Sequence, residues 1–149
     1  MPGDKIFIDS NTFLYSIQIG LAEKREKARR WLVILTETNL GVTNLQVLNE
    51  ITNVLFKKPG RFDVLSVFRQ VDTFSDFGTA PLAVHDVLRA RNVRERYAYS
   101  WWDCLLIASA LELGCKHFLS EDLQDGQVIE GLTIVDPFAH SPEQILRFR

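Results

Sequence analysis

The stretch from Ser100 to Asp122 constrains the fold more than any other part of this 149-residue chain. Residues 101–113 are almost entirely apolar, so the helix that they predict must be covered by protein on most of its sides. Ser100 is a favourable N-cap, and Gly114 permits the left-handed conformation that commonly follows the end of a helix. The short apolar run 115–119 comes next and predicts a buried strand. A buried helix followed at once by a buried strand is typical of a sheet covered by helices.

The remainder of the chain repeats this alternation of short apolar runs and helical patterns. Further strands are predicted at residues 5–8, 40–42, 77–83 and 132–135. Helices are predicted at residues 13–17, 22–35, 45–56, 62–74 and 84–97, with a short terminal helix that starts at residues 141–143. Thr43 and Asn44 are expected to cap the third of these helices, with Gln46 at the capping-box position of Thr43. The pattern predicts an α/β fold, a three-layer α/β/α sandwich with a central, mainly parallel sheet. At this length we expect a single domain over residues 1–149.

Charge and cysteine content narrow the classes of function and the compartment. The net charge of −2 excludes a protein that binds nucleic acid through bulk positive charge, although it leaves room for a local basic patch. Cys104 and Cys115 fall in the buried helix and just beyond it, where we expect them to pack in the core of a protein from a reducing compartment. Charged residues interrupt the N-terminus, and no apolar run has the length of a membrane span. The expected location is therefore cytoplasmic.

Four carboxylates carry the predicted chemistry. Asp9 and Asp122 follow predicted strands, Asp103 lies in the first turn of the apolar helix, and Glu50 faces inward from an apolar helix stripe. In parallel sheets, ligands bind beyond the carboxyl ends of the strands, so we expect these acids to meet at one edge. Two carboxylates about 4 Å apart repel by roughly 4 kcal/mol at an effective dielectric near 20, so such a cluster needs cations or protons. Oxygen ligands alone favour Mg²⁺ or Mn²⁺, which can activate a water and offset the charge of a phosphodiester.

Each acid also has a purely structural interpretation that the sequence leaves open. Asp103 stands three residues after an N-cap serine, the spacing of a capping box, and Asp9 can cap the helix that follows it. Asp122 lies near two further acids, Glu121 and Asp125, either of which can join the site. Glu50 is harder to explain structurally, because an inward glutamate on an apolar stripe needs a partner.

Polar neighbours of the acids have two interpretations as well. They either orient the carboxylates through hydrogen bonds or simply close turns, and the candidates are Ser10, Asn11 and Ser120. The basic side chains of two helices form either a solvated face or a set of phosphate contacts. The three histidines show neither metal-ligand spacing nor an acid–base pair, which argues against a metal-free ribonuclease driven by histidine; they are His85, His117 and His140.

Four motifs give the chain a resemblance to a known family. They are IFIDSNTFLYSI at the first strand, LQVLNEITNVL around Glu50, YSWWDCLLIASALELGCKHFLSEDLQDGQ from Tyr99 to Gln127, and LTIVDPF near the C-terminus. Over nearly its whole length the sequence resembles a PIN domain, and more closely the VapC ribonuclease toxins of bacterial toxin–antitoxin modules.

The resemblance implies a set of roles and partners. Asp9, Glu50, Asp103 and Asp122 would be the catalytic residues and the ligands of Mg²⁺ or Mn²⁺. The activity would be endonucleolytic cleavage of structured RNA, such as a loop of tRNA or rRNA. The protein would form a homodimer and be silenced by a VapB-like antitoxin, and its apolar-rich sequence suggests a hydrophobic groove for a partner helix.

Other classes of protein fit less well. A PIN-like binding module without significant nuclease activity is the main alternative, and loss of one of the acids would favour it, but all four are present. A haloacid-dehalogenase-like phosphatase requires a second aspartate two residues after the first, where this chain has Asn11. A response-regulator receiver requires an acidic pair at the first strand and a lysine after the last, and neither is found.

Overall fold

The computed structural model describes residues 3–18, 21–58 and 61–146. The strands of this part are β1 (Ile6–Ile8), β2 (Gly41–Val42), β3 (His117–Leu119), β4 (Val128–Ile129) and β5 (Leu132–Val135). The helices are α1 (Ser10–Ile17), α2 (Ala22–Thr38), α3 (Leu45–Phe56), α4 (Val64–Phe74), α5 (Val84–Arg96), α6 (Trp101–Glu112) and α7 (Pro142–Leu146), and a 3₁₀ turn spans Ser75–Phe77. No helix in these ranges is both long enough and apolar enough to cross a membrane.

The sheet has the order β2-β1-β3-β5-β4 in the described part of the chain. β1 pairs in parallel with β2 and β3, and β3 pairs in parallel with β5. In this register Ile8 lies opposite Leu119, so the chain leaves β1 and β3 side by side at one edge of the sheet. The predicted α/β fold with a mainly parallel sheet is confirmed.

Burial explains why the strands are short and apolar. Ile6, Phe7 and Ile8 are all inaccessible to solvent, as expected for a strand with helices on both faces, and Phe7 stacks on Phe118 with ring centroids 5.2 Å apart. In α6 every residue from 104 to 110 is buried, as the apolar sequence predicts. Cys104 and Cys115 are buried free thiols.

The predicted strand at residues 77–83 is wrong. Phe77 ends the 3₁₀ turn, Gly78 has a φ of 138°, and Ala80 makes only an isolated parallel bridge with Asn44. Pro81 has no N–H to donate to a ladder, and a Cβ at position 78 would lie 2.7 Å from the carbonyl oxygen of Thr43. The backbone therefore accepts only two hydrogen bonds from the described segment after β2, at Phe77 and Ala80, and then turns away into α5.

Sequence inspection also missed β4, which forms an antiparallel hairpin with β5. The two residues between these strands, Glu130 and Gly131, have φ values of 51° and 88°. Two consecutive residues with positive φ are the requirement of a type I′ turn, whose twist matches that of the flanking strands. A two-residue strand is too short to show an alternating pattern in the sequence.

The start of α3 differs from the predicted capping box. Asn44 is the N-cap, and its Oδ1 accepts a hydrogen bond from the N–H of Val47 at 3.0 Å. Thr43 instead donates its hydroxyl to the carbonyl of Ile8 at 3.0 Å, which ties the approach to α3 to the end of β1. The Asn44 amide also donates to the Ser109 hydroxyl at 2.8 Å, so α3 is anchored to α6 through two buried side chains.

Candidate active site

Asp9 is the most buried of the four predicted acids. It follows β1 directly, is only 8% exposed, and accepts a 2.6 Å hydrogen bond from the Ser10 N–H as the N-cap of α1. Burial, opposed by the Ser10 hydrogen bond and assisted by the negative charges of Glu50, Asp103 and Asp122, raises the pKa of Asp9 to about 7. Asp9 is thus a cap and also lies within the electrostatic field of the other three acids.

Asp122 lies beside the end of β1 because β1 and β3 are neighbours. The Asn11 side chain donates to Asp122 Oδ2 at 2.9 Å, across the gap between α1 and the turn after β3. The Ser120 hydroxyl accepts hydrogen bonds of 3.2 Å from the N–H groups of Asp122 and Leu123, and so shapes that turn. Asn11 and Ser120 therefore make contacts of the predicted orienting kind, whereas Ser10 reaches Asp9 through its backbone.

Glu50 enters the site from α3. Its neighbour Gln46, one helical turn earlier, donates to Glu50 Oε1 at 3.3 Å. Partial burial raises the pKa of Glu50 and the charge of Asp103 raises it further, while the Gln46 hydrogen bond opposes them. Glu50 and Asp103 therefore interact across the interface between α3 and α6.

Asp103 forms only half of the predicted capping box. Its N–H donates to the Ser100 hydroxyl at 3.1 Å, but among the described residues its carboxylate accepts no hydrogen bond from the Ser100 backbone. A capping-box acid would make that return bond. The partly buried carboxylate of Asp103 instead contributes to raising the pKa of both Asp9 and Glu50.

The two rival acids after β3 have partners elsewhere. Glu121 forms an ion pair with Lys24 of α2. Asp125 lies 2.7 Å from His140 Nε2 and accepts a 2.9 Å hydrogen bond from the Asp136 N–H. That backbone hydrogen bond and the contact with His140 lower the pKa of Asp125.

The other histidines are also accounted for outside the acid group. His85 lies 3.5 Å from Asp86 on the exposed side of α5. His117 is half-buried at the opposite end of β3, and burial lowers its pKa. None of the charges that raise the pKa of Asp9 or Glu50 belongs to a histidine.

The donor set suits a hard divalent cation, although the acids are not drawn together as a finished coordination shell. Within residues 3–18, 21–58 and 61–146, no three Asp, Glu, His or Cys side chains form a cluster tight enough to hold a metal. The four carboxylates are close enough for their charges to influence one another, and they offer only oxygen donors, the kind that Mg²⁺ and Mn²⁺ prefer.

Sequence inspection did not identify an open groove beside Glu50. Its volume is about 500 Å³, and we call it the amide groove after three of its lining side chains; it is lined by Leu45, Gln46, Asn49, Glu50, Asn53, Leu82 and Trp102. The amides at positions 46, 49 and 53 recur at the spacing of one helix face. That spacing was the available signal, but the contributions of Leu82 and Trp102 come from distant parts of the chain.

Comparison with solved structures shows the same fold in bacterial toxins. A toxin–antitoxin complex from Klebsiella pneumoniae matches with a TM-score of 0.63 at 16% identity, over 89% of this chain and 98% of that one. VapC20 of Mycobacterium tuberculosis, described as a toxin that cleaves the sarcin–ricin loop, matches with a TM-score of 0.60 at 18% identity, over 79% of this chain and 90% of that one. VapBC2 from Rickettsia felis, bound to a DNA fragment from its promoter, matches with a TM-score of 0.64 at 13% identity, over 87% of this chain and 96% of that one.

Sequence comparison gives the family directly. No curated protein matches the chain. The family model described as the PIN domain matches residues 6–124, which is most of the chain and runs from β1 to just beyond Asp122. The matched region contains all four carboxylates, and this protein therefore belongs to the PIN domain family.

Proposed function

We propose that this PIN domain is a VapC-like toxin, an endoribonuclease that depends on Mg²⁺ or Mn²⁺. The observation that carries the proposal is the electrostatic coupling of four carboxylates, in which three acids raise the pKa of buried Asp9. Such a concentration of negative charge at the carboxyl ends of parallel strands is costly unless a cation compensates it. Perturbed carboxylates in this position are typical of a functional site.

The side chains divide into ligands and orienting groups. We assign Asp9, Glu50, Asp103 and Asp122 as the metal ligands and catalytic residues. A bound divalent ion would lower the pKa of a water and offset charge on the phosphodiester. Within the described ranges Asn11 binds one oxygen of Asp122 and no hydrogen bond is made to the other, as is common for an outer partner of a metal ligand.

Gln46 has the corresponding orienting role at Glu50, because its amide binds Oε1. Ser120 acts on the backbone and fixes the turn that presents Asp122. Ser10 supplies its N–H to Asp9 and so sets the direction of that carboxylate. Each of the four ligands except Asp103 thus has a neighbour that restricts its orientation.

The substrate that we propose is an unpaired loop of a structured RNA, in tRNA or rRNA. Sequence-specific recognition of RNA usually takes place at loops, where unstacked bases are accessible. The description of VapC20 as a toxin that cleaves the sarcin–ricin loop supports this class of substrate. The net charge of −2 requires that local basic side chains hold the RNA backbone, and α2 and α5 are rich in them.

We further propose a VapB-like antitoxin as partner, a homodimer as the assembly and the cytoplasm as the location. Two of the similar structures are described as complexes of toxin and antitoxin, or as VapBC. On α4 the side chains of Val64, Leu65 and Phe68 are exposed, and Phe68 meets exposed Phe56 edge-on with ring centroids 5.7 Å apart. Apolar side chains grouped in this way are typical of surfaces that bind protein.

The alternative is a PIN-like module that binds protein without cutting RNA. Mapping of new RNA ends after brief induction of the protein distinguishes the two functions. We expect discrete cuts within loops, and we expect Asp103→Asn to abolish them at equal expression. Uniform degradation, or an absence of new ends with the wild-type protein, would contradict the toxin assignment.

A further inference from the structure

The amide groove combines apolar side chains, among them exposed Leu45 and Leu82, with a row of amides. Gln46, Asn49 and Asn53 project from one face of α3, and Trp102 stands opposite them with 64% of its surface exposed. A volume of about 500 Å³ lies within the ordinary range for sites that bind small molecules or single residues. The groove therefore offers a flat aromatic face together with several hydrogen-bonding amides.

Charge restricts what can enter this groove. Glu50, a proposed metal ligand, is the single charged side chain in the described lining, so the groove has no basic group to hold a phosphate or another anion. An uncharged, planar group with hydrogen-bonding edges requires no basic group. Amide side chains can donate and accept together, and they are used to read the edges of bases. Indole rings give a stacking face to any base.

Position links the groove to the candidate active site. Glu50 belongs both to the groove lining and to the acid group, and Trp102 immediately precedes Asp103. Gln46, which orients Glu50, also lines the groove. A group seated in this groove would therefore lie beside the acid group.

Gln46 supplies one more observation. Its Oε1 is buried and has no hydrogen-bond donor among the described residues, although its Nε2 is bound to Glu50. Leaving a buried acceptor unpaired is unfavourable, so a rotation of the Gln46 side chain that brings Oε1 to a donor on a ligand would be stabilised. The amino and imino groups of bases are such donors.

We infer that the amide groove is a nucleobase subsite, in which one unpaired base beside the cleaved phosphodiester stacks on Trp102 and hydrogen-bonds to the α3 amides. This inference rests on the proposed ribonuclease function and assigns a specificity-determining role within it. An apolar side chain from a second copy of the chain or from an antitoxin is the competing occupant. The polar amides disfavour that occupant, because they would be buried without partners.

The first experiment uses an RNA oligonucleotide that spans a mapped cut, with each nucleotide near the cut replaced in turn by an abasic one. For the wild-type protein we expect one position whose base is required, with kcat/KM reduced roughly 5- to 150-fold on its removal, the range for loss of one stacked base. Trp102→Ala should lower kcat/KM on intact RNA by a similar factor and show no further loss at that position. Such non-additivity identifies a direct contact.

Matched variants separate stacking from folding. Trp102→Phe keeps an aromatic face and should recover most of the activity lost in Trp102→Ala. Asn49→Leu and Asn53→Leu keep the branched shape of the side chain but not its hydrogen bonds, and should change which base is preferred at the required position. Trp101→Phe, at the less exposed neighbouring tryptophan, should behave as wild type.

A second experiment does not depend on cleavage. In chelator, octanucleotides of A, C, G or U are titrated while tryptophan fluorescence is recorded. At least one should quench emission in Trp101→Phe, whose remaining tryptophans are buried Trp31 and exposed Trp102. The quenching should disappear in Trp102→Phe.

The outcomes distinguish the two proposals. If the wild-type protein cuts no RNA, the proposed function is wrong, and the quenching titration still decides whether the groove binds bases. If the protein cuts RNA but Trp102→Ala keeps the wild-type rate and the wild-type abasic profile, the base subsite is wrong. Loss of self-association or of antitoxin binding in Trp102→Ala, with cleavage unchanged, would assign the groove to a protein partner and overturn the inference.

Discussion

The Asn11 amide donates a 2.9 Å hydrogen bond to the carboxylate of Asp122, a residue 111 positions later in the chain. This bond spans the ends of β1 and β3, where the chain leaves the sheet on adjacent strands. It uses one oxygen of Asp122 and so sets the direction of the other. The orientation of the site therefore depends on a residue that carries no charge.

Replacement of Asn11 tests that dependence. Asn11→Ala should weaken Mn²⁺ binding about 10- to 100-fold, the usual effect of losing an outer partner of a metal ligand, with RNA cleavage falling at limiting Mn²⁺. Calorimetric titration of Mn²⁺ measures the change. Asn92→Ala on the exposed side of α5 is the matched control and should bind as wild type. An unchanged Kd for Asn11→Ala would show that Asp122 needs no such orientation.

The pKa of Asp9 gives a prediction for stability against pH in the metal-free protein. The folded pKa of about 7 exceeds the ordinary aspartate pKa of 3.8, so between these pH values the folded state holds a proton that the unfolded state releases. The stabilisation due to this proton is fully present below about pH 4 and is lost as the pH rises to about 7. Asp9→Asn should remove this decline and raise the free energy of unfolding at pH 8 by up to about 4 kcal/mol, since each pKa unit is worth about 1.36 kcal/mol.

Asp63 provides a control whose pKa is shifted in the opposite direction. It is also an N-cap aspartate, but the hydrogen bond from the Ser66 N–H lowers its pKa. Its contribution is present at neutral pH and is lost as the pH falls, so Asp63→Asn should melt at a lower temperature at pH 7. Thermal melts in chelator from pH 4 to 8 compare the two variants. Between pH 5 and 8, the melting temperature of the wild type should rise less, or fall more, than that of Asp9→Asn. Equal changes in the two proteins, or a larger gain in the wild type, would contradict the assigned pKa of Asp9.

Replacing Glu121 and replacing Asp122, the two adjacent acids after β3, should have very different effects on cleavage and on Mn²⁺ binding. Glu121 is paired with Lys24, and a partly exposed pair of this kind contributes at most about 1 kcal/mol, so Glu121→Gln should retain cleavage and Mn²⁺ binding. Asp122→Asn should lose both at an almost unchanged melting temperature in chelator. Parallel assays on the two purified variants decide this, and equal losses in both would mean that Glu121 also serves the site.

The sequence predicted the elements whose burial is set locally. Residues 6–8 of β1 and residues 104–110 of α6 are buried and almost entirely apolar, so they can be identified without tertiary information. The strand predicted at 77–83 failed because Pro81 and the positive φ of Gly78 outweighed the apolar residues around them. Local pattern favours a strand there, but a ladder needs N–H groups and room for the backbone.

Among the four acids, Glu50 was conspicuous in the sequence, because a carboxylate is unexpected on the inward face of α3, whereas Asp9, Asp103 and Asp122 also had structural interpretations. The ion pair that separates Glu121 from Asp122 could not be predicted, because its partner Lys24 lies 97 positions earlier in the chain. The half-formed capping box at Asp103 could not be predicted either, because the spacing from Ser100 is correct whether or not the return bond forms.

Metal binding should increase the stability of the folded protein. If Asp9, Glu50, Asp103 and Asp122 hold a divalent cation, Mn²⁺ at about 100 times its Kd should add roughly 2.7 kcal/mol to the free energy of unfolding. The melting temperature in millimolar Mn²⁺ should exceed that in chelator. Equal melting temperatures would show that the acids bind no metal.

The most direct measurement is the thermal melt of Asp103→Asn, with and without Mn²⁺, beside its cleavage of RNA. A capping acid contributes about 0.3–1 kcal/mol through the helix dipole, so its loss would lower the melting temperature in chelator. A member of the acid group is destabilising without metal, because its charge raises the pKa of Asp9 and Glu50. We therefore predict an unchanged or higher melting temperature in chelator, loss of the Mn²⁺-induced rise, and loss of cleavage. A variant that melts lower in chelator and still cuts RNA would show that Asp103 is structural and that the site has been assigned wrongly.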